Sequence, residues 1–226
     1  MTRGGEPAKV VILGTGGNSV DILDTLHDLN DAAGRMVYDC AGFLDDNEAL
    51  WGSLQSGVKV LGPVRMAAEL TDCVFVNGIG SPASFARKPR IIASTGVGPE
   101  RFVTLVHPTA SVSRTATLGR GTVVFQHVTI TTNVRIGDHV IILPNTVVSH
   151  DDVVGDYTTI AGGVCVSGGV RIGTCCYLGT RSSVIGGATI GDGALIGMGS
   201  VVLGDVPTGT VVVGTPARFL RPARRD

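Results

Sequence analysis

The stretch RIGDHVIILPNTVVSHDDVVGDYTTIAGGVCVSGGVRIG, residues 135–173, belongs to a repeat that runs from Val112 to Val202. Every sixth residue of this repeat is aliphatic: Val112, Leu118, Val124, Ile130, Ile136, Ile142, Val148, Val154, Ile160, Val166, Ile172, Leu178, Val184, Ile190, Ile196 and Val202. Self-similarity at a fixed period is typical of repeat architectures, and a hexapeptide period is typical of a parallel β-helix. The repeat therefore predicts a solenoid of short β-strands.

Two further rows accompany the aliphatic row. Small or β-branched residues stand two positions before the aliphatic ones, and in that row only Asp152 is charged. We predict triangular turns of three strands each, about five turns in all. Because an unpaired buried charge is costly, either the wall bulges outward at Asp152 or its carboxylate is paired. Glycines recur every eighteen residues, at Gly119, Gly137, Gly155, Gly173 and Gly191.

The composition agrees with a glycine-rich solenoid and excludes several classes of function. The chain has 226 residues, 33 glycines, 4% aromatic residues and a net charge of −1. A chain of this length can bury one or two cores. Its charge favours neither nucleic acid nor an anionic membrane as a partner. No apolar run approaches the roughly 18 residues of a membrane span, and we see no signal peptide.

The cysteines favour a reducing compartment. There are five, an odd number, and they lie in apolar contexts without a CxxC pair. Reduced, packed thiols in the cytoplasm are the expected state for such residues. We therefore predict a cytoplasmic protein.

The beginning of the chain has the pattern of a nucleotide-binding unit. Residues 9–13 are an apolar run, a glycine-rich turn follows from Gly14, and apolar residues then recur at helical spacing. In such units the helix N-terminus and main-chain N–H groups receive an anion. The fingerprint is incomplete, because Ser19 stands where the third glycine of GxGxxG is expected. A tight turn without a ligand is the alternative interpretation.

Further strands and helices complete an α/β domain. Residues 38–44, 58–61, 73–76 and 102–106 read as strands, and residues 63–70 and 82–94 as helices. Asp45 and Asp46 follow the second strand, where a carboxylate usually meets a ribose or base. They lie about thirty residues past Gly14, compared with the usual ~20, which argues against an NAD-dependent dehydrogenase. We predict a small Rossmann-like parallel sheet within residues 1–106 and the solenoid within residues 107–226.

Among the five histidines, His150 has the strongest signal for chemistry. Asp151 follows it directly. A carboxylate bonded to one ring nitrogen fixes the tautomer and raises the basicity of the other, as a general base requires. The other four read as surface or linker residues: His27, His107, His127 and His139.

Gly168 lies eighteen residues after His150, so the repeat stacks it directly on the histidine. A glycine there lets a ligand approach the backbone and leaves an N–H for a developing oxyanion. Zinc catalysis is an alternative for this fold, since γ-type carbonic anhydrases are also hexapeptide solenoids. Their closely spaced histidine pair is missing from this sequence, so we predict no metal.

These residues carry a resemblance to one family. The chain resembles sugar acyltransferases of the NeuD/PglD type, in which a nucleotide-sugar domain precedes a left-handed β-helix. The resemblance covers nearly the whole chain. It is carried by the motifs Gly14-Thr15-Gly16-Gly17-Asn18, Phe43-Leu44-Asp45-Asp46, Ile79-Gly80, Leu105-Val106-His107-Pro108, Ser149-His150-Asp151, Val154-Gly155-Asp156 and Val213-Gly214-Thr215-Pro216-Ala217.

The resemblance implies a homotrimer, with active sites between neighbouring subunits and CoA along the groove. It implies that His150 is the general base, that Asp151 raises its basicity and that the Gly168 amide holds the thioester oxyanion. The nucleotide-sugar residues would be Gly16, Gly17, Asn18, Asp45, Asp46 and Gly80. The residues lining the acetyl-CoA site would be Thr159, Thr180 and Met198.

Two departures from the family affect the substrates. Asn18 stands where the family commonly has the histidine of GxxGH, and this bears on the identity of the acceptor. Thr159 stands where relatives often have a histidine near the acyl donor.

We expect acetyl transfer from CoA to the amine of a nucleotide-linked amino-sugar. Two alternatives stay open: O-acetylation of a sialic-acid-like hydroxyl, and a non-catalytic solenoid that binds a nucleotide-sugar.

Overall fold

The computed structural model describes residues 6–223, and their contacts form two compact units. The first unit ends at Ile79 and also contains Arg90–Val103. The second consists of Gly80–Pro89 and the chain from Thr104 onward.

The first unit contains a small, mainly parallel sheet. Its elements are β1 (Ala8–Leu13), α1 (Gly17–Ala33), β2 (Tyr38–Leu44), β3 (Leu54–Gln55), β4 (Val58–Gly62) and β5 (Cys73–Asn77). The strand order is β3-β4-β2-β1-β5, and only the β3–β4 pair is antiparallel. Residues 10–13 of the central strand β1 have no exposed surface. Short 3-10 turns cover Glu48–Leu50, Val64–Glu69 and Pro99–Arg101.

Helix α2 is shorter than the sequence predicts. It covers Lys88–Ser94 and follows a 3-10 turn at Phe85–Arg87, whereas the predicted helix began at residue 82. Pro89 is the second residue of α2. Proline is tolerated in the first turn, where the N–H groups have no helical partner, so the regular helix begins next to Pro89.

The second unit is a three-faced β-solenoid, as the hexapeptide period predicts. Its two-residue strands are β6 (Leu105–Val106), β7 (Ser111–Val112), β8 (Thr117–Leu118), β9 (Val123–Val124), β10 (Thr129–Ile130), β11 (Arg135–Ile136), β12 (Ile141–Ile142), β13 (Val147–Val148), β14 (Val153–Val154), β15 (Thr159–Ile160), β16 (Cys165–Val166), β17 (Arg171–Ile172), β18 (Tyr177–Leu178), β19 (Ser183–Val184), β20 (Thr189–Ile190), β21 (Leu195–Ile196) and β22 (Val201–Val202). Two longer strands follow, β23 (Thr210–Val213) and β24 (Arg218–Pro222). Each predicted aliphatic residue is the second residue of a strand, which confirms the repeat.

Successive strands are distributed over three sheets. Face 1 has the order β22-β19-β16-β13-β10-β7, and face 2 has the order β20-β17-β14-β11-β8. Face 3 has the order β24-β23-β21-β18-β15-β12-β9-β6. Paired residues of strands β6 to β22 are eighteen apart, as in Thr129 with Val147. Aliphatic side chains from all three faces form one continuous core, and the arrangement is consistent with a left-handed β-helix.

Strand β6 belongs to the solenoid, although the sequence suggested that residues 102–106 form the last strand of the α/β sheet. Leu105 pairs with Val123 and Val106 with Val124, at the same spacing of eighteen residues. Phe102 makes only an isolated bridge to Phe75 in the first unit. An apolar run alone did not reveal which sheet its residues join.

The glycine row reflects close contact between successive turns. A Cβ on Gly137 would lie 2.8 Å from the Asp156 nitrogen, and one on Gly173 would lie 2.7 Å from the Asp192 nitrogen. Because real Cβ atoms do not approach backbone so closely, only glycine fits at these positions.

A row of left-handed residues was not predicted. Every sixth residue from Gly121 to Gly199 has a φ between 51° and 75°. The left-handed region costs roughly 1–2 kcal/mol for most residues and less for Asn and Asp. The non-glycine members of the row are His127, Asn133, His139, Asn145, Asp151, Tyr157, Cys175 and Arg181.

Candidate active site

His150 and Asp151 lie on edge 1–2, the set of turns that lead from face 1 to face 2. His150 Nδ1 is 2.9 Å from Asp151 Oδ2, and both side chains are exposed. Asp151 Oδ1 also accepts a hydrogen bond from Asn133 Nδ2 at 3.0 Å. The hydrogen bonds from His150 and then Asn133 lower the pKa of Asp151. An ionised Asp151 accepts a hydrogen bond from the Nδ1–H group, so the proton stays on Nδ1 and Nε2 is the basic nitrogen.

Asp151 holds this position because its backbone is left-handed. Its φ is 64°, a conformation that Asp and Asn tolerate better than most residues. Its main-chain N–H donates to the Thr132 carbonyl at 3.0 Å. The backbone conformation therefore fixes the carboxylate beside the imidazole.

Gly168 lies one turn above His150, as the repeat predicts. A Cβ on Gly168 would be 2.5 Å from both Cε1 and Nε2 of the histidine ring. The ring therefore fills the space that a side chain at position 168 would need. This arrangement brings Nε2 next to the Gly168 backbone.

Asp152 is paired through one of its two carboxylate oxygens, whereas its buried Oδ2 has no hydrogen-bond partner among the described residues. Its side chain is fully buried, and its Oδ1 accepts the Val170 N–H at 2.7 Å. Burial raises the pKa of Asp152 to about 7, against the opposing effect of the hydrogen bond from Val170. The residue supports the turn from inside and is not available to a substrate.

The predicted acetyl-CoA residues lie elsewhere on the solenoid. Thr180 and Met198 are exposed and stacked one turn apart on edge 3–1, the turns from face 3 to face 1. Thr159 lies on face 3 and has no exposed surface. Within one chain, therefore, the structure does not bring these three residues to the edge that carries His150.

Thr159 is covered by a segment whose importance the sequence did not reveal. Lys88 is fully buried, and its Nζ donates to Thr159 Oγ1 at 2.9 Å. It also lies 3.2 Å from the Thr158 carbonyl oxygen and 3.4 Å from that of His139. Burial lowers the pKa of Lys88 to about 7. Gly80 lies over the same threonine, since its Cβ would be 2.8 Å from Thr159 Oγ1.

In the first unit, the predicted anion loop is open to solvent. Gly16 and Gly17 are exposed at the start of α1, and a Cβ on either glycine would meet no atom within 4 Å. Asn18 is half-buried in the first turn. Ser19 is buried against Gly78, where a Cβ would clash with the serine side chain. The small residue needed for close packing is therefore supplied by Gly78 on the neighbouring segment.

Asp45 and Asp46 have different partners. Asp45 Oδ2 accepts a hydrogen bond from Thr15 Oγ1 at 2.8 Å, which joins the end of β2 to the glycine loop. Asp46 Oδ1 accepts the Val64 N–H at 2.9 Å and caps a 3-10 turn. The structure thus brings Asp45 to the loop, and the hydroxyl of Thr15 is a member of this site that the sequence did not single out.

Two other histidines differ from their predicted exposure. His107 and His139 are buried, whereas His27 and His127 are exposed. The His139 ring stacks on Tyr157, with a centroid distance of 5.3 Å. Burial lowers the pKa of His139. Stacking between residues eighteen apart explains the burial, and a period of six alone does not reveal it.

Residues 6–223 contain no cluster of three or more His, Cys, Asp or Glu side chains that could hold a metal ion. No helix in that range has the length and apolar character needed to span a bilayer.

Comparison with known proteins supports the resemblance. No protein-family model matches the chain. It is 31% identical over 121 residues to the UDP-N-acetylbacillosamine N-acetyltransferase of Bacillus subtilis (strain 168). That match covers 51% of this chain and 50% of the relative, so the chain matches about half of the curated relative's length.

Solved structures match over nearly the full length. The acetyltransferase domain of PglB from Neisseria gonorrhoeae FA1090, in complex with acetyl coenzyme A, is 27% identical with a TM-score of 0.82. That match covers 95% of this chain and 100% of the other. PerB from Caulobacter crescentus, in complex with CoA and GDP-perosamine, is 30% identical with a TM-score of 0.79, covering 94% and 97%.

Proposed function

Because the chain belongs to the hexapeptide-repeat sugar acetyltransferases of the NeuD/PglD type, we propose that it transfers an acetyl group from acetyl-CoA to the amine of a nucleotide-linked amino-sugar. PerB was solved with CoA and GDP-perosamine, and the PglB domain with acetyl coenzyme A. The observation that carries the proposal is the His150–Asp151 pair, with the imidazole next to the Gly168 backbone.

His150 acts as the general base in this proposal. Asp151 accepts a hydrogen bond from Nδ1–H, so Nε2 is free to act as the base. It takes a proton from the sugar amine as the amine nitrogen attacks the thioester carbonyl. A positioned base of this kind typically contributes about 10²–10⁴ in rate. Collapse of the tetrahedral intermediate breaks the C–S bond, and the imidazolium returns the proton to the leaving CoA thiolate.

Gly168 serves as the oxyanion donor. The carbonyl oxygen becomes negatively charged as the amine attacks, and the Gly168 N–H stabilises that charge. An N–H aimed at this oxygen is worth about 10²–10³ in kcat. A Cβ on Gly168 would lie 2.5 Å from His150 Nε2. This closeness supports the His150 imidazole and the Gly168 N–H acting on the same carbonyl group.

The nucleotide-sugar is bound by the glycine loop and the two carboxylates. The exposed start of α1 at Gly16, Gly17 and Asn18 offers main-chain N–H groups to a diphosphate. The family resemblance also assigns Gly80 to nucleotide-sugar binding. Asp45 and Asp46 accept hydrogen bonds from hydroxyl or base N–H groups of the nucleotide. Asn18 replaces the family's histidine, so we expect it to influence which sugar is accepted.

Acetyl-CoA lies along an intersubunit groove lined by Thr180 and Met198. These residues are on a different edge from His150 within one chain, which supports a site completed by a second copy and hence a homotrimer. Thr159 is assigned to the same site, although it is covered by Gly80 and Lys88 in one chain.

The remaining parts of the proposal concern fold and location. The first sheet is Rossmann-like, and the solenoid is a left-handed β-helix of about five turns. Residues 1–106 carry nucleotide-sugar binding, and residues 107–226 carry acyl transfer. The five free cysteines favour a cytoplasmic location, which stays a prediction.

The test is a panel of nucleotide amino-sugars incubated with acetyl-CoA and read by mass spectrometry. We expect at least one acceptor to gain one acetyl group as a base-stable amide. A base-labile product would instead support O-acetylation. Nucleotide-sugar binding without acetyl-CoA binding in calorimetry would support the non-catalytic alternative and contradict the proposed activity.

A further inference from the structure

The solenoid binds carboxylate oxygens with main-chain N–H groups on edge 2–3, the turns from face 2 to face 3. After three of the five face 2 strands, the second residue donates its N–H to an aspartate one turn later. Arg120 donates to Asp138 Oδ1 at 2.7 Å, and Asp138 donates to Asp156 Oδ1 at 2.8 Å. Thr174 donates to Asp192 Oδ1 at 2.7 Å. This turn geometry therefore directs an N–H at an anionic oxygen.

Gly168 is the equivalent residue on edge 1–2, where the aspartate is missing. It is the second residue after β16, and the residue one turn later is Gly186. Between residues 6 and 223, the Gly168 N–H has no hydrogen-bond acceptor. The place that aspartate Oδ1 occupies on edge 2–3 is therefore not taken by a side chain above Gly168.

We propose that Gly186 is a positioning residue for the reaction: it keeps the Gly168 N–H open, and the thioester oxygen binds where aspartate Oδ1 binds on edge 2–3. This inference rests on the proposed function. The 2.7–2.8 Å distances on edge 2–3 lie in the range required of an oxyanion donor. Hydrogen bonds hold the neighbouring turns, from Gly169 N–H to the His150 carbonyl at 2.9 Å and from Gly187 N–H to the Gly168 carbonyl at 3.1 Å.

The test is Gly186→Asp, which recreates the edge 2–3 arrangement above Gly168. Gly186 has no positive φ, so the backbone accepts an aspartate. We expect the new carboxylate to accept the Gly168 N–H and slow its amide hydrogen exchange. Turnover at saturating acetyl-CoA should fall by about 10²–10³-fold, the effect of losing one oxyanion donor.

Gly204→Asp is the matched control. Gly204 lies one turn further on the same edge, and a Cβ there meets no atom within 4 Å. Its carboxylate would reach the Gly186 N–H and leave that of Gly168 open. We therefore expect a kcat within about threefold of the wild-type value, with Gly168 exchange unchanged.

Three results would overturn the inference. One is a slowed Gly168 exchange in Gly186→Asp with kcat within tenfold of wild type. Another is unchanged Gly168 exchange in that variant. The third is an equal loss in Gly186→Ala, whose Cβ lies 3.1 Å from the Gly168 carbonyl oxygen but offers no acceptor. Wild-type protein without any transferase activity would contradict the proposed function instead, and exchange alone would then decide whether position 186 controls the Gly168 N–H.

Discussion

Edges 1–2 and 2–3 have the same turn conformation but differ in the side chains that the next turn places above it. On edge 2–3, aspartates take the main-chain N–H groups, and His139 is buried against Tyr157. On edge 1–2, the residues stacked after His150 are Gly168 and Gly186, and the histidine side chain is 65% exposed. The comparison shows that the proposed reactive edge lacks the aspartate side chains that accept main-chain N–H groups on edge 2–3.

The largest expected effect is a loss of kcat on replacing His150, with no such loss on replacing His139. His150→Ala should lower kcat by about 10²–10⁴ because the base is lost, while acetyl-CoA affinity measured by calorimetry stays near wild type. His139→Asn is the control, since Asn tolerates the left-handed backbone. That control should keep kcat and lose stability. Near-normal turnover in His150→Ala would show that the two edges do not differ in the way proposed.

A smaller effect is expected from adding one methyl group. Gly168→Ala should reduce kcat about 10²-fold, since its Cβ would meet the His150 ring at 2.5 Å and displace the base. Gly162 holds the equivalent position on edge 3–1, where a Cβ would lie 3.3 Å from the Pro144 carbonyl oxygen. Gly162→Ala should therefore retain most activity. Steady-state kinetics would contradict the comparison if both variants lost the same amount.

The last expected effect is on stability near edge 1–2 and not on turnover. The folded pKa of Asp152 is about 7, raised from 3.8 by burial, so the folded state favours the protonated form. Its contribution to the free energy of unfolding is therefore lost as pH rises from about 4 to about 7. The loss is about 4 kcal/mol at most, at 1.36 kcal/mol per pKa unit.

Asp152→Asn should remove this decline and still accept the Val170 N–H. Urea unfolding at pH 4.5 and 7.5 would measure the difference between variant and wild type. The exposed Asp205 also accepts a main-chain N–H, from Thr189 at 2.7 Å, and Asp205→Asn is the control. A pH dependence that is identical in wild type and Asp152→Asn would contradict the prediction.

The solenoid could be predicted in detail because its signal is periodic. The aliphatic row identified the position of every strand from β7 to β22, and the stacking of Gly168 on His150 followed from the spacing of eighteen. The left-handed row was not predicted, because Tyr157, Cys175 and Arg181 have no intrinsic preference for that conformation. The left-handed conformation is set by pairing between successive turns, and the local amino-acid composition gives little indication of it.

Features that depend on long-range contact were also missed. Lys88 lies in a segment that the sequence identifies only as a helix, and only the folded chain shows that its amino group is buried. The glycine loop shows a second long-range contact. Ser19 stands in place of the third glycine of the motif, and Gly78, fifty-nine residues later, leaves the space that the serine side chain occupies. A motif defined by neighbouring residues in the sequence does not include Gly78, which contacts Ser19 only in the folded chain.

The buried Lys88 also matters for exchanging parts between related enzymes. A chimaera joined after residue 106 would take Lys88 from one parent and Thr159 from the other. The foreign segment would then cover face 3 without its matching hydrogen bonds at the Thr158 carbonyl and Thr159 hydroxyl. A junction placed before Gly80 keeps the lysine with the solenoid that buries it, so residues 80–89 should be inherited together with the acetyltransferase half.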